Sequence, residues 1–112
     1  MTEPTVEVVP DPARNRFEIH VDGTSVGHTE YVRRADLLIF THTEIDPAFE
    51  GQGLASRLAR GALDAVRAAG DPIVALCPFI AGYIERHPEY ADLVDAECTE
   101  FFEARARRRS AR

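Results

Sequence analysis

The chain has 112 residues, 45% of them apolar, and a formal net charge of -6. That length suits one small domain with its own core, and no apolar run approaches the roughly 20 residues a membrane span needs, so a soluble protein is expected. All 13 basic residues are arginine, and Arg105, Arg107, Arg108, Arg109 and Arg112 crowd the C-terminus, leaving 8 basic against 19 acidic residues in the body. An acidic body disfavours wholesale nucleic-acid binding and suits a cationic substrate. The start, Met1-Thr2-Glu3-Pro4, is acidic and lacks an apolar signal core, so a cytoplasmic location is expected. Cys77 and Cys98 are expected to be reduced and unpaired. With four scattered histidines they give no metal-ligand spacing, and no metal is expected.

Thr5 to Val9 reads as a short extended segment ended by Pro10-Asp11-Pro12. Arg16 to Val21 alternates, with Phe17, Ile19 and Val21 on one face, and predicts a half-buried strand. Asp22-Gly23 is a tight-turn dipeptide. Thr24 to Val32 predicts a second strand, Arg33 to Asp36 a turn, and Leu37 to Ile45 the strongest strand of the chain. These segments form an antiparallel meander.

Pro47 breaks the last strand, and a helix is predicted from Gly53 to Ala69. Ala55, Leu58, Ala59, Ala62, Leu63 and Val66 form its apolar stripe, and Gly70 caps its end. Ile73 to Leu76 predicts a short strand, parallel to Leu37–Ile45 through a right-handed crossover. Pro78 opens a helix that ends near His87-Pro88. Tyr90 to Val94 reads as an apolar turn and Glu97 to Arg107 as a last helix, with the final arginines frayed.

Between the strongest strand and the first helix lies Asp46-Pro47-Ala48-Phe49-Glu50-Gly51-Gln52-Gly53. Strand, glycines, then helix aims backbone N–H groups at whatever sits in front of the helix, a natural place for phosphate. A nucleoside-triphosphate loop needs a lysine after its glycines, and the chain has none. A dinucleotide fold needs a third glycine and a longer α/β chain. A pyrophosphate held by backbone N–H groups remains.

Glu50-Gly51-Gln52-Gly53-Leu54-Ala55 resembles the acyl-CoA signature of the GNAT superfamily of N-acyltransferases, in which Arg or Gln is followed by two residues, Gly, one residue, and Gly or Ala. Gly53 and Ala55 match, and Glu50 stands at the Arg/Gln position. A closer resemblance is to its minimal Gcn5-like, NATD-type domains. It is carried by His42-Thr43-Glu44-Ile45, the glycine turn, Cys77-Pro78-Phe79 and His87-Pro88-Glu89-Tyr90-Ala91-Asp92-Leu93-Val94, in order.

The resemblance implies a truncated GNAT fold: a small mixed α+β (α/β) sheet, an antiparallel meander plus one parallel strand, with a CoA-binding helix and one or two further helices. The domain would span residues 1–94, and residues 95–112 would form a helical, arginine-rich tail. It implies acetyl-CoA as cofactor, in a split between the two parallel strands. Ile45, Gly51, Gln52, Gly53, Leu54, Ala55, Ser56, Cys77 and Phe79 are the expected cofactor contacts.

Acetyl transfer to an amine needs a base, a polarised carbonyl and a stabilised leaving thiolate. Alternation places Phe40, His42 and Glu44 on one face, making His42 and Glu44 the candidate bases, with a backbone N–H near Glu44 or Ile45 polarising the carbonyl. Larger relatives carry a tyrosine near the position of Tyr83 as acid for the thiolate. Cys77, at a helix start, is a nucleophile or lines the thiol end of the pocket. Each has a structural alternative: sheet hydrogen bonds for His42 and Glu44, and packing for Tyr83 and Cys77. The expected acceptor is a small-molecule or protein amine, and the chain a monomer or homodimer. The alternatives are a non-catalytic acyl-CoA sensing module and an interaction module acting through the basic tail.

Overall fold

The computed structural model describes residues 4–110. Five strands lie in sequence order: β1 (Val6–Asp11), β2 (Arg16–Val21), β3 (Thr24–Arg34), β4 (Leu37–Ile45) and β5 (Ile73–Ala75). The first four form an antiparallel meander, and β5 joins β4 in parallel. Three helices follow β4 in the chain: α1 (Leu54–Ala69), α2 (Pro78–Arg86) and α3 (Ala96–Ser110). The mixed sheet with one parallel pair is as expected.

Two boundaries move. β1 runs through Pro10, which sequence reading takes as a stop. Pro10 pairs with Phe17 on an edge strand, where a missing N–H need not cost a ladder hydrogen bond. β3 extends through Arg33 and Arg34, which pair with Leu38 and Leu37, so the turn shrinks to Ala35-Asp36.

α1 buries Leu54, Leu58, Ala59, Ala62, Leu63 and Val66 on the sheet, with Phe17, Ile19, Leu38, Phe40 and Ile73 beneath them. Leu54 takes the buried position expected of Ala55. Gly70 closes the helix in the left-handed conformation. α2 adds Ile80, Tyr83 and Ile84 to the same core. α3 lies on the other face, where Cys98 and Phe102 pack on Leu37, Ile39 and Val74. It continues past Arg107 to Ser110, and Arg112 lies outside the described residues.

A 3-10 segment, Pro88–Leu93, is pinned to α1. Arg67 forks onto Asp92 at 2.9 and 3.0 Å, and the Tyr90 hydroxyl donates to Asp64 at 2.6 Å. Burial, then the bond to Asp64, pushes the Tyr90 hydroxyl up to about 12 from the ordinary 10. The raised value belongs to the folded state, so the protonated hydroxyl favours folding. Its contribution is present below pH 10 and is lost as pH rises to 12. Stability should fall by about 2 kcal/mol across that window, and Tyr90→Phe should remove the Tyr90 share of the fall in alkaline urea titrations.

Candidate active site

The central feature is a β-bulge in β4. Tyr31 of β3 pairs with Phe40, but Glu30 pairs with His42, so Thr41 has no partner of its own. Its hydroxyl reaches the Glu30 carbonyl at 3.4 Å. The extra residue breaks the two-residue period. Phe40 faces the core with Tyr31, whereas His42 and Glu44 face away from α1 with Glu30 and His28. The expectation that Phe40, His42 and Glu44 share one face is therefore corrected. Thr43 and Ile45 take the inner face instead.

The bulge coincides with the end of the parallel ladder. β4 and β5 pair only from Leu38–Ile73 to Phe40–Ala75. The Phe40 carbonyl then accepts from both Leu76 and Cys77 N–H groups at 3.0 Å, and the chain turns into α2. Beyond that point β4 has no parallel neighbour. On its other side, Asp46 N–H donates to Val26 C=O at 2.8 Å. By strand alternation the N–H groups of Thr43 and Ile45 then point to the open edge.

In front of this edge is a cavity of about 240 Å³, lined by Thr43, Ile45, Phe49, Glu50, Gly51, Gly53, Leu54, Ala55, Ser56 and Phe79. Seven of the nine residues expected to contact the cofactor line it. The other two do not: Gln52 is exposed beside it, and Cys77 is buried. Thr43, Phe49 and Glu50 are additions. Thr43 gave no signal because its inward direction depends on the bulge.

Gly51 and Gly53 have φ of 83° and 73°, and a Cβ on either would meet no atom within 4 Å. They are free for this backbone, and the space before them is open. Gly53 is the N-cap of α1 and offers no side chain to its N–H groups. The first intrahelical bond is Arg57 N–H to Gly53 C=O at 3.2 Å. The N–H groups of Gly53, Leu54, Ala55 and Ser56 have no intrahelical partner and carry the positive end of the helix dipole.

Cys77 is the N-cap of α2 and 3% exposed. Its sulfur lies 3.3 Å from Thr43 Oγ1, which is 2.9 Å from Thr29 Oγ1. Thr29 is fully buried and also lies within 3.3 Å of the His42 carbonyl oxygen. This hydroxyl–thiol chain ties β3, β4 and α2 together behind the cavity wall. Tyr83, expected near a leaving sulfur, is in the core, stacked on His87 with ring centroids 4.1 Å apart. It lines no cavity near β4, and burial raises its hydroxyl above the ordinary range. Its place follows from the α2 stripe it shares with Ile80 and Ile84.

A second cavity, of about 600 Å³, shares Thr43, Ile45 and Glu50 with the first and adds His28, Glu44 and Asp46. His28 Nε2 is 3.5 Å from Glu30 and 3.8 Å from Glu44, and its ring is 6.4 Å from that of His42. His28 was not anticipated, because its position beside Glu44 comes from strand pairing. Among the described residues no His, Cys, Asp and Glu side chains gather in a group able to hold a metal, and no helix is long and apolar enough to cross a membrane.

Comparison with known proteins agrees with this architecture. The solution structure of a GCN5-like protein from Staphylococcus aureus superposes with a TM-score of 0.60 at 21% identity, covering 80% of this chain and 87% of that one. Protein NATD1 of Gallus gallus is 30% identical over 86 residues, 74% of this chain and 77% of the chicken protein. A family model described as GCN5-related N-acetyl-transferase matches residues 16–93, from the start of β2 to the end of the segment pinned on α1. On that span the chain belongs to the GCN5-related N-acetyltransferase family.

Proposed function

We propose that the chain is an acetyl-CoA-dependent N-acetyltransferase acting on an amine. The observation that carries this reading is the uncapped N-terminus of α1 opening onto a cavity that also receives the free edge of β4. The N–H groups of Gly53, Leu54, Ala55 and Ser56 would hold the pyrophosphate. The open space before Gly51 and Gly53 fits that role, since no side chain competes for it. Glu50 lines the same cavity. Its carboxylate is no partner for phosphate, so the backbone N–H groups, with the Ser56 hydroxyl on the same wall, would supply the cradle.

Acetyl-CoA, when bound, supplies an acetyl group whose C–S bond breaks as the C–N bond to the amine forms, the electron pair leaving on sulfur and the amine proton passing to a base. The N–H groups of Thr43 and Ile45 at the open edge of β4 would polarise its carbonyl. Glu44 and His28, at the wall of the second cavity, or His42 beside them, would take the proton. Isothermal titration with coenzyme A tests the first step. Saturable binding is expected, and none at millimolar ligand would overturn the reading.

The buried thiol of Cys77 argues for direct transfer rather than an acyl-enzyme. Cys77→Ser should keep turnover within about threefold of the parent in an amine-dependent thiol-release assay, a change of about 0.7 kcal/mol in barrier. Tyr83→Phe should likewise leave rate and melting temperature nearly unchanged, within about 0.5 kcal/mol, because no hydrogen bond of its hydroxyl is found among the described residues.

The displacement of Tyr83 and Cys77 from the cavity also favours a second reading, a CoA-binding module without transfer. That reading predicts coenzyme A binding with no thiol release on any amine.

A further inference from the structure

We propose that the second cavity is the acceptor pocket and that it takes a small alkyl diamine, a primary amine with a second positive charge a few carbons away. The proposal rests on the acetyltransferase reading and adds the substrate class.

The cavity meets the first at Thr43, Ile45 and Glu50, so an amine held there would adjoin the proposed cofactor site. Its remaining walls set the chemistry. Glu44, Asp46 and Glu50 line it, no arginine does, and the one basic side chain among the lining residues is His28. Glu44 lies near the end of β4 and Asp46 just past it, their Cα atoms about 6.6 Å apart by strand rise, so two carboxylates stand where two charges a few carbons apart would meet them. Their roles differ. Glu44 is 3.8 Å from His28 Nε2, on the side where a proton is to be removed. Asp46 caps the following turn, its Oδ1 accepting from Ala48 N–H at 2.9 Å, so its carboxylate is held in place and keeps its other oxygen available.

A volume of about 600 Å³ admits a short aliphatic chain. An amine with a single charge would be recognised at one end only. A neutral alcohol of the same length lacks the charges that three carboxylates attract, and that attraction weakens with salt.

The test is an NMR titration of the full chain with 1,4-diaminobutane, with and without saturating coenzyme A, and with 1-butanol as the neutral control. Amide shifts are expected at Ser25 to His28 and Thr43 to Asp46 for the diamine and not for the alcohol. The double variant Glu44→Gln/Asp46→Asn, which keeps the turn cap, should bind the diamine at least tenfold more weakly. It should bind coenzyme A as the parent does, because neither residue lines the first cavity. No shifts in this region under either condition, equal shifts with 1-butanol, or unchanged diamine affinity in the double variant would overturn the proposal. If the parent binds coenzyme A but not the diamine, the acceptor assignment alone falls. If it fails to bind coenzyme A in calorimetry, the acetyltransferase reading falls with it.

Discussion

Ala55→Asp should weaken coenzyme A binding at least 100-fold while leaving the fold at least as stable as before. Ala55 is the second residue of α1 and lines the first cavity. Its N–H is among those that the helix leaves unpaired, and the dipole there favours negative charge. An aspartate at this point satisfies the helix from within. It contributes about 0.3–1 kcal/mol to the fold and occupies the place proposed for the pyrophosphate. A phosphate arriving there meets a like charge and lost hydrogen-bond donors. A hundredfold loss corresponds to about 2.7 kcal/mol, the scale of a charge-assisted hydrogen bond or two. Ala55→Asn, of nearly the same size without the charge, should lose less than tenfold. Calorimetric titration and thermal melts on the two variants separate the charge from the bulk. Equal affinity of the aspartate variant and the parent would mean that the α1 terminus holds no anion.

The contrast between what periodicity reveals and what it hides is clearest on either side of Pro47. Downstream, the six-residue stripe of α1 and the left-handed glycines at its two ends leave their marks in residue type and spacing, so the helix and the turn before it are legible. Upstream, the two-residue period holds through Phe40 and then fails. Thr41 is an ordinary strand residue, and nothing in its neighbours announces that it will go unpaired. His42 and Glu44, which alternation places on the face of Phe40, consequently belong on the other one, and Thr43 gives no signal. His28 is invisible for a related reason: it reaches Glu44 through the β3–β4 register, which one strand read alone does not contain. Tyr83 is a different case. Ile80, Tyr83 and Ile84 share one side of α2, which places its ring in the core by helical spacing. The expectation of a role near the thiolate came from resemblance and conflicted with the local pattern.

Deleting Thr41 should produce a folded protein with a closed cleft. Without the extra residue β4 becomes a regular strand, and counting along it keeps Phe40 inward, His42 outward, Thr43 inward and Glu44 outward. Every side chain retains its present face, so neither apolar surface is inverted and the usual penalty of a register slip does not arise. What changes is the bend. A bulge twists and turns its strand, and here it sits where β4 leaves β5 and where Phe40 C=O collects both Leu76 and Cys77 N–H groups. A straight β4 would stay beside the segment at Leu76-Cys77, and the outward N–H groups of Thr43 and Ile45 would be drawn into the sheet. Stability should remain within about 2 kcal/mol of the parent by urea denaturation. Coenzyme A affinity should fall by about 100-fold, roughly 2.7 kcal/mol, because the free strand edge is lost although the glycine turn and α1 are untouched. A folded deletion variant with the parent's affinity would show that the cleft does not depend on the bulge, and that the edge of β4 is dispensable for holding the cofactor.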